Sequence, residues 1–376
     1  MKLKILKSKL KEGLSIVERI TTKSLTLPIL NTVLLQAEKN FLNLSTTDLE
    51  VGIRWWNLAK IEKEGAITVP ARVFSNFIGL LEEKPVDLEV KNQTLVIESE
   101  KYQTKIKGFN PEEFPIIPKI TEGELVDIDN ILFCQGLNQV VQIPILSSAR
   151  PEISGVYLYF QKDLVKIVAT DSFRLGEKKL FFEKKLPLLQ EYSLILPQRA
   201  AKEIVNIFGE QKGELKIYFS ANQILFEFPM EETAHPKIQL VSKLIEGEYP
   251  NYQAIFPKES ETKIVLGKNE FLNQLKAASL FASKMNEVRL KTNRKKEEIE
   301  IFSQNPELGE YQSSLSGKIT GEESEVSFNY RFLIDGLSNI KSSEVIFELN
   351  GEEGPAVLKP VADTSYVYLV MPVKAS

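Results

Sequence analysis

The chain has very few of the side chains on which metal sites and many enzymes depend. Its 376 residues include one cysteine, Cys134, and one histidine, His235. A single cysteine excludes an internal disulfide and suits a reducing compartment, and one Cys with one His cannot supply a His/Cys zinc site. A Ser-His-Asp triad would rest entirely on His235, which we interpret as a solvated loop residue. We therefore predict no catalytic residue, no metal and no cofactor.

Long apolar runs are also absent. No stretch approaches the roughly 18 residues of a membrane span. The first seven residues intersperse lysines among apolar residues and lack the apolar core and cleavage site of a signal peptide. With 43% hydrophobic and 26% charged residues, the composition is that of an ordinary soluble globular protein. We expect a cytoplasmic protein.

The chain repeats itself three times with a period of about 125–130 residues, which is the size of a domain. Three arginines mark the period, because Arg72, Arg199 and Arg331 are separated by 127 and 132 residues. A proline or an asparagine precedes each of them, which is typical of a helix start. Each repeat also opens with apolar residues spaced three and four apart, which predicts an amphipathic helix. These apolar positions are 10, 14, 17 and 20, then 133, 137, 140 and 141, then 271, 275, 278 and 280.

Strand signals and joints recur as well. Apolar and β-branched runs flank short turns at 88–97, 215–226 and 345–358, which predicts hairpins, and proline-containing joints follow at 113–118 and 248–257. We predict an α+β fold of three tandem similar domains, each with two helices packed on antiparallel sheet. The predicted domains are 1–120, 121–256 and 257–376. Tandem copies leave exposed sheet edges at both ends, and head-to-tail pairing of two or more chains would remove these edges by closing a ring.

Five segments in this order carry a family resemblance: 26–30, 47–50, 69–72, 169–175 and 370–373. With the three repeats, they resemble the β subunit of bacterial DNA polymerase III, the sliding-clamp family, over essentially the whole chain. The resemblance implies a homodimeric six-domain ring that encircles duplex DNA without reading its sequence. It also implies that the protein is no enzyme. It would tether the replicative polymerase and other polymerases or repair proteins, and an ATP-driven clamp loader would place it on DNA.

The resemblance implies helices that line the hole and carry positive charge. The net charge of −4 counts against DNA binding unless the cations gather on one face, and the segment 130–142 contains no Lys or Arg. Two alternatives stay open: each lysine is simply a solvated position, or the repeated arginine pairs with a carboxylate. The DNA-facing candidates are Lys7, Lys11, Lys23, Arg72, Arg150, Arg199, Lys202, Lys276 and Arg331.

In the family, partners dock a short peptide into a groove between the second and third domains. An aliphatic groove with a methionine is adaptable, and a few polar groups set the register of the peptide. The chain departs from the common pattern at Ser172-Phe173 and Ala254, so we expect an altered peptide preference. Plain core packing is the alternative. The matching residues are Ile153, Thr170, Ser172, Phe173, Arg174, Leu175, Pro250, Ala254, Ile255, Pro355, Leu369, Val370, Met371, Pro372 and Val373.

The resemblance also implies a dimer interface. It would pair the strand near 102–108 with the helix and strand near 278–290 of the other chain. The apolar candidates are Ile106, Leu280 and Phe281.

Two other classes of protein compete with this interpretation. The first is an enzyme. The sequence gives this class little support, because the segment 316–319 does not match the Gly-rich phosphate-binding loop of the Walker type. Asp48 and Asp171 occupy equivalent places in separate repeats, which favours turn-stabilising roles over a catalytic pair. Trp55-Trp56 is compatible with a sugar or base platform, but adjacent strand residues face opposite ways, so one ring inside and one at the surface is favoured. The second rival is a three-domain scaffold that binds proteins and never encircles DNA.

Overall fold

The structure is a computed structural model that describes residues 1–21, 26–120, 123–231, 233 and 235–373. The chain forms two compact units. The first unit contains Met1–Cys134, Leu186–Gln190 and Arg199–Leu244. The second unit contains Gln135–Lys185, Glu191–Gln198 and Ile245–Ser376.

The helices and strands follow one another in three similar series. The first series is β1 (Lys2–Leu6), α1 (Lys7–Val17), β2 (Thr32–Glu38), β3 (Phe41–Thr47), β4 (Val51–Leu58), β5 (Lys60–Lys63), β6 (Gly65–Pro70), α2 (Ala71–Leu80), β7 (Pro85–Lys91), β8 (Thr94–Ser99) and β9 (Tyr102–Lys107). The second is β10 (Leu125–Asp129), α3 (Asn130–Asn138), β11 (Gly155–Phe160), β12 (Leu164–Thr170), β13 (Arg174–Phe181), β14 (Tyr192–Pro197), α4 (Gln198–Phe208), β15 (Glu214–Phe219), β16 (Gln223–Pro229) and β17 (Pro236–Lys243). The third is β18 (Thr262–Gly267), α5 (Lys268–Ser279), β19 (Glu287–Asn293), β20 (Glu298–Asn305), β21 (Gly309–Gly321), β22 (Glu325–Asn329), α6 (Tyr330–Ser338), β23 (Glu344–Leu349), β24 (Ala356–Pro360) and β25 (Tyr366–Val370).

This order confirms the threefold repeat. Each series runs strand, helix, four strands, helix and three strands, and the first series contains one additional short strand, β5. The predicted opening helices are α1, α3 and α5, and the helices that begin near the repeated arginines are α2, α4 and α6. Asn329 caps α6, because its side-chain oxygen accepts the Arg331 backbone N–H at 3.0 Å. The predicted hairpins are present as β7–β8, β15–β16 and β23–β24.

The first unit contains two antiparallel sheets. One has five strands in the order β5-β1-β7-β8-β9, and the other has eight in the order β10-β15-β16-β17-β4-β3-β2-β6. The larger sheet joins the first repeat to the second, because β4 pairs with β17 and Arg54 lies opposite Gln239. Strand β9 is the last strand of the smaller sheet, so one of its sides has no neighbouring strand among the described residues.

The second unit is built on one twelve-stranded antiparallel series in the order β14-β11-β12-β13-β25-β24-β23-β18-β21-β20-β19-β22. It joins the second repeat to the third, because β13 pairs with β25 and Glu177 lies opposite Val367. The long strand β21 changes partners along its length: residues 317–321 pair with β18, and residues 309–316 pair with β20. Across the described chain, no strand lies on the other side of residues 309–316.

One backbone hydrogen bond recurs in all three repeats just after the last strand. The Phe109 N–H donates to the Thr68 carbonyl at 2.8 Å, and the Ile245 N–H donates to the Ile195 carbonyl at 2.9 Å. The Val373 N–H donates to the carbonyl of Ser327 at 2.8 Å. The acceptors are separated by 127 and 132 residues, the same offsets as the three arginines. The repeat therefore extends to single backbone groups.

The aromatic residues of the first unit bear out one expectation and correct another. Trp55 is fully buried while Trp56 is half-buried, as strand alternation predicted. His235 is half-buried, and so not the fully solvated loop residue that we expected: its ring stacks on Phe41 at 4.2 Å and meets the edge of Trp56 at 5.5 Å. Its Nδ1 lies 2.7 Å from the Pro236 carbonyl oxygen. These contacts depend on the fold: β17 begins at Pro236, immediately after His235, and places the histidine ring next to Phe41 and Trp56.

Gly13 provides a test of the packing between α1 and the sheet. A Cβ at this position would lie 2.5 Å from Cε3 of the buried Trp55, whereas a Cβ at Gly79, in α2, would meet nothing within 4 Å. We expect Gly13→Ala to lower the free energy of unfolding by about 1–3 kcal/mol through overpacking. The matched control Gly79→Ala should raise it by up to about 1 kcal/mol through helix propensity. Urea denaturation of both variants measures this, and equal stability would contradict the packing described.

Candidate functional site

The candidate groove begins with the turn between β12 and β13. The Thr170 hydroxyl accepts the Ser172 N–H at 3.2 Å and donates to the Arg174 carbonyl at 2.8 Å. One carboxylate oxygen of Asp171 accepts the N–H groups of Phe173 and Arg174, both at 3.0 Å. Ser172 has a φ of 76°, in the left-handed region that favours glycine. Side chains therefore hold this turn in a conformation that the backbone alone disfavours.

The same turn exists in the first repeat. The Leu49 N–H donates to the Thr47 hydroxyl at 3.0 Å, and Asp48 accepts the N–H groups of Glu50 and Val51 at 3.0 and 2.7 Å. Leu49 has a φ of 77°. These bonds confirm that Asp48 and its counterpart in the second repeat stabilise turns. At the corresponding place in the third repeat, the side-chain oxygen of Asn305 accepts the Glu307 N–H at 2.9 Å.

Arg174 is anchored from three sides. Its Nε lies 2.9 Å from Oδ2 of Asp171, its Nη1 contacts Asp335 on α6, and its guanidinium carbon lies 4.6 Å from the centroid of the Phe332 ring. The side chain is only 8% exposed. Neither Asp335 nor Phe332 was identified from the sequence, because no local pattern connects α6 to a turn so distant along the chain. An arginine held in this way orders the turn, and little of its charge reaches solvent.

The structure brings most of the predicted groove residues together around the pairing of β13 with β25. Leu175 lies opposite Leu369, and Arg174 lies opposite Val370. The turn Tyr252–Ile255 follows Pro250 and contains Ala254 and Ile255. Pro355 precedes Ala356 of β24, and Ala356 lies opposite Val370 of β25. Leu175 and Leu369 belong to one buried cluster against which Met371 packs.

The predicted residues divide into a buried floor and an accessible rim. Ile153, Leu175, Leu369 and Val370 are at most 5% exposed, so the alternative of core packing holds for their side chains. Phe173 is 62% exposed and Ile255 is 45% exposed. The other accessible members are Ser172 and Ala254, which are exposed, and Pro250, Pro355, Met371, Pro372 and Val373, which are half-buried. Any docked segment would therefore contact the rim.

A buried tyrosine fixes the linker beneath this rim. The Tyr252 hydroxyl lies 2.6 Å from Oε2 of Glu177, a buried carboxylate on β13. Burial, and then this hydrogen bond, raise the pKa of Tyr252 above its usual range. In the first unit, the equivalent strand position is Arg54, which donates to the carbonyl oxygens of Ile117 and Pro118 in the corresponding linker. Burial lowers the pKa of Arg54 to about 10. In each unit, a side chain on the sheet, Arg54 or Glu177, thus forms hydrogen bonds that hold the linker following the repeat.

Several predicted DNA-facing cations already have partners within the chain. Nη1 of Arg199 lies 2.6 Å from Oδ2 of Asp48, a contact within ion-pair distance whose angles do not form a hydrogen bond. Arg199 also donates to the Ile20 carbonyl at 3.2 Å. Lys7 lies 3.4 Å from Glu83 with its side chain 11% exposed. The alternative of a structural arginine therefore holds for Arg199.

The remaining cations of that set differ in their surroundings. Arg150 is exposed, but it lies 3.1 Å from Glu152 and donates to the Ser172 hydroxyl at 3.1 Å, beside the candidate groove. Lys202 is half-buried. Lys23 lies outside the described residues. The exposed members of the predicted set on α1, α2, α5 and α6 are Lys11, Arg72, Lys276 and Arg331.

The predicted interface residues differ in exposure. Leu280 is 70% exposed, and Phe281 is half-buried with its ring stacked 6.1 Å from that of Tyr311. Ile106 is only 8% exposed, so its side chain offers little surface to a partner. Strand β19, in the predicted region 278–290, lies between β20 and β22 and is no open edge.

Across the residues that the structure describes, no three His, Cys, Asp or Glu side chains are grouped so that they could hold a metal ion. Within the same ranges, no helix has the length and apolar character needed to cross a membrane.

Comparison with known proteins identifies the repeats. Models of the DNA polymerase III beta subunit match the chain in order: the N-terminal domain over residues 1–118, the central domain over 131–251 and the C-terminal domain over 253–374. Three such domains in one chain define a DNA sliding clamp. The chain belongs to the family of DNA polymerase III beta subunits, or beta sliding clamps. Members of this family are processivity factors of DNA polymerase III and are not themselves catalytic.

Individual relatives agree over the full length. The beta sliding clamp of Bacillus subtilis (strain 168) is 28% identical over 386 residues and covers 100% of both chains. That of Staphylococcus aureus (strain Mu50) is 26% identical over 359 residues and covers 93% of each. The crystal structure of the DNA polymerase sliding clamp from Bacillus subtilis has a TM-score of 0.92 at 27% identity, covering 100% of both chains. The beta subunit from Thermotoga maritima, at 23% identity and a TM-score of 0.91 with the same coverage, shares the fold.

The repeated arginines allow stability to be separated from other roles. Arg199→Ala removes the cation beside Asp48, whose side chain is only 4% exposed. We expect the free energy of unfolding to fall by about 1–2 kcal/mol, because a buried acceptor loses its charged partner. The matched control is Arg72→Ala, an exposed residue at the same place in α2, which should change it by less than about 0.5 kcal/mol. Urea denaturation compares them, and equal losses would argue against the structural role of Arg199.

Proposed function

We propose that two copies of this chain close head to tail into a six-domain ring around duplex DNA. The three domains of each copy span residues 1–120, 121–256 and 257–376. The family-model matches and the threefold order of elements support this division. A closed ring holds DNA topologically, so a bound polymerase rebinds as part of the same assembly and gains apparent affinity without new contacts to DNA.

The observation that carries the ring is the arrangement of strand edges. Inside the chain, each repeat adds its last strand to the sheet of the preceding repeat, through the β4–β17 and β13–β25 pairs. Strand β9 and residues 309–316 of β21 are the corresponding strands without such a partner among the described residues. An open edge exposes unpaired backbone groups. A second copy satisfies both edges at once, and a repeating heterologous contact that closes gives a ring.

Contacts with DNA in this assembly are electrostatic and weak. Cations that bind phosphates give sequence-independent, salt-sensitive attraction that allows sliding. The exposed residues Lys11, Arg72, Lys276 and Arg331 belong to the first and third repeats. The second repeat contributes less, because Arg199 is paired with Asp48 and α3 contains no Lys or Arg. The surface offered to DNA is therefore uneven around the ring, with Lys7, Lys23, Arg150 and Lys202 as further contributors.

Partner proteins dock short peptides on the rim described above. Phe173, whose carbonyl oxygen accepts the Met371 N–H at 2.8 Å, and Ile255, on the turn that begins at Tyr252, both present exposed apolar area, which suits an apolar peptide. Replicative and other polymerases and repair proteins would share this groove. An ATP-driven loader opens the ring, since a closed circle cannot thread itself onto circular DNA. The role of the family in DNA replication supports a cytoplasmic location.

Topology is the direct test of encirclement. We expect protein placed by its cognate loader on nicked circular DNA to stay bound at moderate salt and to be lost once the circle is cut. Retention on beads that carry the DNA measures this, with uncut circles as the control. Equal loss from both forms, or equal retention on both, indicates ordinary surface binding or none, and then favours a protein-binding scaffold that never encircles DNA.

The rim can be tested separately from the ring. Ile255→Glu puts a charge where an apolar peptide would lie, and we expect affinity for a synthetic copy of the cognate polymerase's clamp-binding segment to fall at least about tenfold. The matched control is Phe181→Glu, which alters a side chain that is 61% exposed at the opposite end of β13. Fluorescence anisotropy reports both affinities. Similar affinities for the two variants would exclude Ile255 from the docking surface.

A further inference from the structure

The two junctions inside the chain determine how the open edges of two copies can pair. The repeats must first be aligned residue by residue, and the recurring hydrogen bond after each last strand provides the alignment. Its acceptors are Thr68, Ile195 and Ser327. Following the observed strand pairs across each sheet from these acceptors leads to one equivalent residue per repeat. The paths are Thr68–Leu34–Ser45–Arg54, Ile195–Tyr157–Val168–Glu177 and Ser327–Arg289–Phe302–Gln312.

The donors of the same hydrogen bond align the last strands. They are Phe109, Ile245 and Val373. The residues six positions before them are Gln103, Gln239 and Val367. Both internal junctions obey one rule, because Arg54 lies opposite Gln239 and Glu177 lies opposite Val367. Two independent junctions therefore share a single register. Applied to the remaining pair of edges, the rule places Gln103 opposite Gln312.

We propose that β9 of one copy pairs antiparallel with residues 309–313 of its partner, with Lys105 opposite Glu310 and Tyr102 opposite Ser313. This register rests on the proposed ring and adds to it the residues that meet at each seam. Strand register is strongly specified, because a slip of one residue would turn every side chain to the other face of the sheet. In this register, Lys105 keeps the solvent face and Ile106 keeps the buried face.

Charge and shape at the seam agree with this register. Lys105 and Glu310 are both exposed and of opposite sign. The first internal junction has a similar ion pair two residues further along the strand, where Lys243 lies 3.1 Å from Glu50. Thr104 faces Tyr311, whose ring stacks on Phe281, so the predicted interface residue lies beside the seam.

In this register a glycine of the open edge lies opposite a buried isoleucine. The register places Ile106 opposite Gly309, at which an added Cβ would meet nothing within 4 Å. Ile106 thus takes part through its backbone while its side chain stays in the core of its own domain. Its low exposure is therefore compatible with a place in the interface.

Engineered disulfides test the register. In the internal junctions, the residues equivalent to Tyr102 and Ser313 form a pair without direct backbone hydrogen bonds, and such pairs have Cα atoms about 4.5 Å apart, within reach of a disulfide. We expect the double variant Tyr102→Cys with Ser313→Cys to form a covalent dimer on mild oxidation, reversed by dithiothreitol. The matched control, Thr104→Cys with Ser313→Cys, is displaced by two residues, to about 7–8 Å, and should not link efficiently. Native Cys134 does not compete, because it is buried and burial raises the pKa of its thiol to about 12.

The outcomes separate the register from the ring. Linking of the first pair and not of the control supports the register. Linking of the control instead, or of neither pair while sedimentation shows a dimer, overturns the register and leaves the ring intact. A protein that stays monomeric at every concentration tested in sedimentation overturns the ring itself, and the register with it.

Charge reversal gives a second measurement that requires no oxidation. Lys105→Glu and Glu310→Lys should each weaken dimerisation about twofold to fivefold per seam, because like charges then lie opposite each other. Combining them should restore wild-type affinity. Lys107→Glu is the control, since in this register it faces no carboxylate of the partner and should have little effect. Losses that simply add in the double variant would overturn the proposed pairing of Lys105 with Glu310.

Discussion

Backbone pairing between successive repeats is the constraint on which the rest of the structure depends. The first and second repeats each have a strand edge that they do not cover themselves, and the last strand of the next repeat covers it through the β4–β17 and β13–β25 pairs. The candidate groove lies where β13 meets β25, so its position follows from this pairing. The tethers from Arg54 and Glu177 to the linkers lie on the same two strands.

Features encoded by neighbouring residues could be predicted from the sequence. Helices α1, α3 and α5 follow from apolar spacing, and α6 begins where an asparagine can cap it. The roles of Asp48 and Asp171 follow from short-range chemistry, since a carboxylate can accept N–H groups two and three residues ahead. The three repeated arginines predicted the offsets that the backbone hydrogen bonds later matched.

Features that depend on distant residues could not be predicted in this way. The ion pair of Arg199 with Asp48 and the anchoring of Arg174 by Asp335 each join different repeats. Only the fold brings these partners together. The positions of the cations in the sequence therefore suggest more unpaired positive charge than the structure has. The exposure of individual side chains could not be predicted from the sequence either. Leu175 and Phe173 are two residues apart, yet Leu175 is buried in the floor of the groove and Phe173 is 62% exposed. The local sequence favours a solvated His235, because its aromatic partners Phe41 and Trp56 lie far away along the chain.

In the sequence the three repeats look like separable domains. Because successive repeats share continuous sheets, we do not expect a single repeat to fold well as an isolated fragment. An excised middle repeat, cut at the boundaries proposed near 120 and 257, would lose β4 from beside β17 and β25 from beside β13. Two long strand edges would then face solvent, and such edges template aggregation. Genetic dissection of this chain should therefore carry each junction whole, with the last strand of one repeat kept beside the strand that it covers in the preceding repeat.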